Sequence, residues 1–261
     1  MSTEQAPPYP SPRNLLAGKT VLITAAAGTG IGFATARRCL EEGARVFVSD
    51  VHARRLAEAV EQLRGVSPDG VEGKVCDVTR ESDVRALVGA AISALGHIDV
   101  LVNNAGLGGS AAVIDMTDEQ WLKVLDVSLT SVFRMTRATL PHMYQRGSGA
   151  IVNNASVLGW RAQALQAHYA AAKAGVMAFT RCAAMEAAAH GVRINAVAPS
   201  IAMHAFLNRV TSDELLTELK RREAFGRTAE TWEVANVIVF LASDLASYMT
   251  GEVVPVSSQH A

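Results

Sequence analysis

Residues 24–32 read TAAAGTGIG, set between the apolar run TVLI at 20–23 and the helical pattern FATARRCL at 33–40. The stretch therefore reads as a tight turn from a strand into a helix, built from Thr24, three alanines, Gly28, Thr29, Gly30, Ile31 and Gly32. Small residues in such a turn let a ligand approach backbone N–H groups, and the helix N-terminus adds partial positive charge, so the turn suits a phosphate. The spacing G-x-G-x-x-G is absent as written, and an ordinary tight turn explains the same residues until the rest of the chain is read.

Outward from this turn the pattern repeats. Apolar runs of strand type recur at 20–23, 45–49, 71–76, 98–102, 150–153, 192–197 and 252–256, with helical patterns between them. Runs apolar on both faces and separated by helices predict an α/β fold, a single doubly wound domain with about seven parallel strands and helices on both faces. Residues 15–261 are expected to form that domain. Residues 200–228 break the rhythm with a long amphipathic insertion beyond a strand end, which suits a substrate lid. The opening MSTEQAPPYPSPRN, residues 1–14, reads as a flexible Pro-rich tail without the basic start and apolar stretch of a signal peptide.

Composition narrows the function classes. Twenty-four basic and twenty-five acidic residues leave a net charge of -1, so no global field favours nucleic acid or an anionic membrane surface. No run approaches the roughly 18 apolar residues of a membrane span. Cys39, Cys76 and Cys182 lie far apart and are expected as reduced core thiols of a cytoplasmic protein, with no metal site.

The strand ends carry the chemistry, because ligands of open α/β sheets sit outside the carboxyl ends of the strands. Asp50 closes RVFVSD eighteen residues beyond Gly32, where a carboxylate can accept from both adenosine ribose hydroxyls and repel a 2′-phosphate. NAD is thereby favoured over NADP, although Arg54 and Arg55 follow closely and a plain helix cap also explains Asp50. Asp77 and Val78 in CDVT can meet the adenine, and Asn103, Asn104, Ala105 and Gly106 in NNAG can line the adenosine side or simply form a turn.

Ser156 ends the fifth run, and thirteen residues later Tyr169 and Lys173 share one helix face at i, i+4. A phenol with pKa near 10 costs about 4 kcal/mol to ionise at pH 7. One cation at about 4 Å in an effective dielectric of about 20 supplies a similar amount. Tyr169 then suits a general base toward an alcohol, with Ser156 holding the substrate oxygen. A Tyr-x-x-x-Lys spacing also arises by chance on exposed helices; its company here is what gives it weight.

The glycine turn, Asp50, CDVT, NNAG, Ser156, YAAAK, INAVAPS and MTGEVV together resemble the short-chain dehydrogenase/reductase family along essentially the whole chain from about residue 15. The resemblance implies a Rossmann-type NAD(P)-dependent oxidoreductase, usually a homotetramer. In it Tyr169 is the acid/base, Lys173 binds the nicotinamide ribose and lowers the tyrosine pKa, and Ser156 polarises the substrate. Ile201, after Pro199, would meet the carboxamide through its backbone. Ser128 stands where the family has the asparagine of its proton relay. The turn is one residue longer than the family's, with Ala25 or Ala26 in place of the first glycine, so Gly28 is expected to absorb the bend. His204 and the closing Ser257-Ser258 also depart from the family's usual residues.

The expected substrate walls, Leu107–Ala112, Leu158–Gln166 and the lid, are largely apolar, which points to a small hydrophobic alcohol or ketone. Arg161, Arg209, Lys220, Arg221 and Arg222 can meet a coenzyme A carrier at the rim, or the last three can form a solvated helix face. The strings TAAAGTGIG, NNASVLGWRAQ, HYAAAKAGVMA, PSIA and SYMTGEVV further resemble bacterial enzymes of steroid-ring catabolism that oxidise a ring hydroxyl on a C/D-ring propanoyl-CoA intermediate. The alternatives are an NADPH-dependent 3-oxoacyl-ACP/CoA reductase, against which Asp50 argues, and a non-catalytic NAD-binding scaffold, against which the intact Ser156, Tyr169 and Lys173 argue.

Overall fold

The apolar runs become strands because each buries both faces. In β1, Thr20–Ile23, the side chains of Val21 and Ile23 enter one core while Leu22 enters the other. The computed structural model describes residues 5–203 and 213–258 of the 261-residue chain. It places β1, β2 (Arg45–Asp50), β3 (Val71–Val75), β4 (Val100–Asn103), β5 (Gly149–Asn154), β6 (Val192–Pro199) and β9 (Val253–Val256) in one parallel sheet, ordered β3-β2-β1-β4-β5-β6-β9. A separate two-stranded pair joins β7 (Ala202–Met203) to β8 (Ala229–Glu230), which the sequence reading did not anticipate.

The helices α1 (Ile31–Glu41), α2 (Ala53–Arg64) and α8 (Thr231–Ala242) supply the core on the Val21 face. On the Leu22 face the core is built from α3 (Glu81–Leu95), α5 (Ser131–Arg146) and α6 (Ala167–Ala188). The short α4 (Asp118–Leu125) leads into α5, and α7 (Asp213–Arg221) precedes β8. Strand order reverses between β1 and β4, so the loops at their carboxyl ends diverge and leave a crevice there. Of the expected lid, residues 204–212, including His204 and Arg209, lie outside the described residues.

From Tyr9 onward the opening segment lies against α1. Tyr9 donates to Glu41 Oε2 at 2.6 Å, meets Trp232 edge-on, and lies beside the guanidinium groups of Arg37 and Arg38. Behind it the N–H groups of Arg13 and Leu15 donate to Glu42 Oε2, whose Oε1 pairs with buried Arg38 at 2.6 Å. Cys182 is corrected: it is exposed on α6, whereas Cys39 and Cys76 are buried and burial pushes both thiols up to about 12.

Because Glu42 is 1% exposed and satisfies three donors, removing it leaves the N–H groups of Arg13 and Leu15 without their acceptor and takes from buried Arg38 one of its two carboxylate partners, the other being Glu41. Glu42→Ala should lower unfolding stability by about 3–5 kcal/mol. Urea denaturation checks this, and a loss under about 1 kcal/mol would show that water replaces the carboxylate without penalty.

Candidate active site

The turn after β1 has two residues in the left-handed region, Ala25 at φ 51° and Gly28 at φ 97°. Gly28 takes part of the bend, as expected, and Ala25 takes the rest at an alanine's steric cost. Gly32 is fixed by packing: a Cβ there would lie 2.4 Å from Asn104 Nδ2 and 2.5 Å from the Ala25 carbonyl oxygen. A Cβ on Gly30 would meet nothing within 4 Å. Gly30 is also the N-cap of α1 and makes no side-chain cap, so the first N–H groups of α1 open toward space that a phosphate fits.

Thr24 ties this turn to the end of β4. Its hydroxyl oxygen accepts from the N–H groups of Asn104 and Ala105 at 3.0 and 3.1 Å, while Asn104 Nδ2 donates to the carbonyls of Thr24 and Ala25. Asn103 points the other way. In the core it donates to Thr136 Oγ1 and Asn153 Oδ1, and Asn153 Nδ2 donates to Thr180 Oγ1, a polar ladder that locks β4 and β5 in register.

Asp50 lies at the crevice end of β2, buried, with Oδ1 accepting from the His52 N–H at 2.9 Å and 3.6 Å from Arg55 Nη2. Burial raises its carboxyl pKa, opposed by Arg55 and by backbone N–H groups. Arg54 turns instead to Glu58 at the surface. Asp77 is held by the hydroxyl and N–H of Thr79, which lower its pKa, and Val78 is buried beside it. Pro199 ends β6 opposite Val256, and the Ile201 carbonyl accepts from Ala229.

The reactive cluster lies across the crevice. Lys173 is 2% exposed, and its ammonium donates to the Asn154 carbonyl at 2.6 Å and stands 5.6 Å from the Tyr169 ring centroid. Burial lowers the Lys173 pKa to about 8. Ser156, N-cap of the 3-10 turn Val157–Gly159, accepts from Leu158 N–H, and its hydrogen bond to Tyr169 partly offsets the burial that raises the phenol pKa. Burial is the larger of the two causes, so the phenol of the free chain stays above its ordinary value.

Ser128 lies in a π-helical turn, Asp126–Thr130, between α4 and α5, a feature frequent at functional sites. Its buried hydroxyl accepts from Leu107 N–H and donates to the Leu107 carbonyl, both at 2.9 Å. The loop after Gly106 is thus clamped over the cluster: a Cβ on Gly106 would sit 3.4 Å from Lys173 Nζ, and one on Gly108 would sit 3.9 Å from the Tyr169 ring. Ala111 N–H donates to Leu165, whose φ of 66° is strained, so the two expected substrate walls are joined. Trp160 and Leu165 are half exposed, an apolar rim, while Lys220, Arg221 and Arg222 are exposed and Arg222 pairs with Glu218. The sequence reading missed Asn154, although the paired asparagines ending β5 were its signal.

Ser156, Tyr169, Lys173 and Ser128 thus converge on one side of a crevice whose other side holds the glycine turn, Asp50 and Asp77. The chain matches, over residues 25–258, the family model described as enoyl-(acyl carrier protein) reductase. A Mycobacterium tuberculosis protein named (5R,7aS)-5-hydroxy-7a-methyl-1-oxo-2,3,5,6,7,7a-hexahydro-1H-indene-carboxyl-CoA reductase is 60% identical over 261 residues, covering 100% of both chains. The 3-oxoacyl-[acyl-carrier-protein] reductase FabG of Thermotoga maritima is 39% identical over 239 residues, 92% of this chain and 96% of its own. Among solved structures, a short chain dehydrogenase from Mycobacterium smegmatis is 57% identical with a TM-score of 0.89, covering 99% of this chain and 100% of its own. An actinorhodin polyketide ketoreductase with NADPH is 34% identical with a TM-score of 0.87, covering 92% and 96%.

Two outcomes follow from this geometry. Gly32→Ala should disrupt the turn and weaken dinucleotide binding more than about tenfold, since its Cβ meets backbone; Gly30→Ala should leave the free protein's melting temperature within about 2 °C. Equal melting behaviour and equal binding in both variants would contradict the packing described. Lys173→Met should stabilise the free protein at pH 7 by about 1–3 kcal/mol, because an ammonium whose pKa falls on folding opposes folding while it stays charged. That penalty is full below about pH 8 and fades as pH rises toward the unfolded lysine's value, 10.5. The gain should shrink accordingly in denaturation measured up to pH 10.5; a destabilised variant at pH 7 would mean the buried ammonium supports the fold.

Proposed function

The chain belongs to the short-chain dehydrogenase/reductase family, and from that premise we propose that it is an NAD-dependent enzyme interconverting a ring alcohol and a ketone on a bicyclic, CoA-linked substrate. The family establishes an oxidoreductase of the NAD(P)-dependent class. The observation that carries the finer reading is the convergence of Ser156, Tyr169 and Lys173 beside an apolar rim, in a chain 60% identical over its whole length to a protein named for a hydroxy-hexahydroindene-carboxyl-CoA.

The dinucleotide, when bound, accepts or supplies the hydride. The chain's own residues do the rest. The N-terminus of α1 and Gly30 receive the pyrophosphate, Asp50 the adenosine ribose and Asp77 the adenine. Lys173 holds the second ribose and its charge favours phenolate at Tyr169 Oη once the site is filled. Ser156 holds the substrate oxygen, and Tyr169 Oη takes the proton of the alcohol or returns it to the ketone. Ser128 acts through its main-chain carbonyl as a seat for the relay water, because its hydroxyl is committed to Leu107. Asp50 favours NAD; Arg55, the counter-charge in reach of a 2′-phosphate, is turned toward Asp50.

The straight-chain 3-oxoacyl reductase reading has less support, at 39% identity to its relative. We further propose a homotetramer in the cytoplasm. Leu122, Phe133 and Met185 expose apolar surface on α4, α5 and α6, and among the described residues no helix is long and apolar enough to cross a membrane.

A cofactor-reduction assay with hydroxy-indane carboxyl-CoA compounds and 3-hydroxyacyl-CoA compounds, each with NAD and NADP, tests the reading. The expected result is turnover of the bicyclic compounds with at least about tenfold preference for NAD, the worth of one well-placed charge. Turnover restricted to straight-chain thioesters with NADP would overturn it. Tyr169→Phe should lose about two to four orders of magnitude in kcat with dinucleotide affinity unchanged. Ser128→Ala should keep kcat within about tenfold while losing about 1–2 kcal/mol of stability, as Leu107 loses its partner. Near-normal turnover by Tyr169→Phe would remove the phenol from the mechanism.

A further inference from the structure

The hydrogen bonds around Asn154 fix which way its amide faces. Asn104 Nδ2 donates to two carbonyls, Thr24 at 3.2 Å and Ala25 at 3.0 Å, so Asn104 Oδ1 must be the acceptor on its other side. Asn154 therefore presents Nδ2 to it, at 3.0 Å. That orientation leaves Asn154 Oδ1 buried without a partner, a costly arrangement for an amide oxygen. The same residue's main-chain carbonyl holds Lys173 Nζ at 2.6 Å, which is the one hydrogen bond of that buried ammonium among the described residues and uses one of its three N–H donors. One residue thus joins the glycine turn to the lysine, and it carries an unpartnered acceptor while the ammonium it holds has N–H donors to spare.

A group that donates and accepts at once completes both. We infer that Asn154 is a positioning residue for the dinucleotide's second ribose, its Oδ1 accepting from a ribose hydroxyl that in turn accepts from Lys173. This rests on the dinucleotide reading of the site, and it adds a residue that neither the glycine turn nor the Ser156, Tyr169 and Lys173 cluster contains. Its side chain reaches Asn104 at the glycine turn while its main-chain carbonyl holds Lys173, so the residue links the two.

The test compares ADP with ADP-ribose, which differ by the second ribose, in calorimetric titrations of the full chain. Asn154→Leu removes the side-chain donor to Asn104 and the unpartnered acceptor at similar volume, and Asn154→Asp keeps an acceptor while losing the donor to Asn104. Wild type should bind ADP-ribose more tightly than ADP. In Asn154→Leu the ratio of the two affinities should fall about tenfold, whereas in Asn154→Asp it should stay within about threefold of wild type, even if both ligands bind more weakly. A merely structural side chain would weaken both ligands alike in both variants, leaving the ratio unmoved, and that result overturns the inference. If wild type binds neither ligand, the dinucleotide reading itself fails and the inference with it; if it binds both and Asn154→Leu keeps the ratio, only the inference fails.

Discussion

A buried ammonium requires an acceptor, and Lys173 finds its acceptor in the Asn154 carbonyl at 2.6 Å, at the very end of β5. That contact joins the last residue of β5 to α6 and holds Lys173 over the sheet edge, two residues before Ser156 in the chain. The Asn103 and Asn153 ladder beneath holds the strand ends in register, so the carbonyl's position is set by the core rather than by a loop. Burial meanwhile depresses the lysine pKa and raises that of the phenol, so the free site stores two groups away from their ordinary protonation behaviour. Perturbed groups beside one another mark a candidate acid–base site; the phenol, raised by burial, works near neutral pH once a bound ligand brings it down.

The other half of the crevice depends on close approach rather than charge. Gly32 allows Asn104 to reach over the turn, and Asn104 in turn ties the turn to β4 and to Asn154. The two halves are therefore one connected network across the point where strand order reverses. Leu107, clamped by Ser128, and Leu165, bonded to Ala111, close the remaining sides with backbone contacts that do not depend on the identity of the apolar side chains facing the substrate. A site built this way keeps its chemistry fixed while its pocket walls vary.

Much of this was legible in the sequence because it rests on local rules. The seven strands announced themselves as apolar runs between helical patterns, the glycine turn by its composition, and Tyr169 with Lys173 by helical spacing. What escaped depends on tertiary contact. Asn154 is hidden because Asn153 and Asn154 look alike in sequence, and only the fold shows the first on Thr180 in the core and the second on Asn104 at the glycine turn. The π-helical turn at Ser128 has no composition signature, and the direction of the Tyr169 shift depends on how burial competes with the hydrogen bond from Ser156. The place of Tyr9 beside Glu41 and Trp232, far along the chain, is likewise a tertiary contact that composition does not announce.

The central claim is that Lys173 and Tyr169 form one proton-handling unit whose balance shifts when the dinucleotide binds. Ultraviolet difference titration of the phenol, wild type against Tyr169→Phe, measures that unit directly, with and without NAD. The account predicts a Tyr169 pKa above its ordinary 10 in the free protein, a fall of at least about two units on NAD binding, and no such fall in Lys173→Met. A phenol that titrates at the same pH with and without NAD, or that falls equally in Lys173→Met, would contradict it.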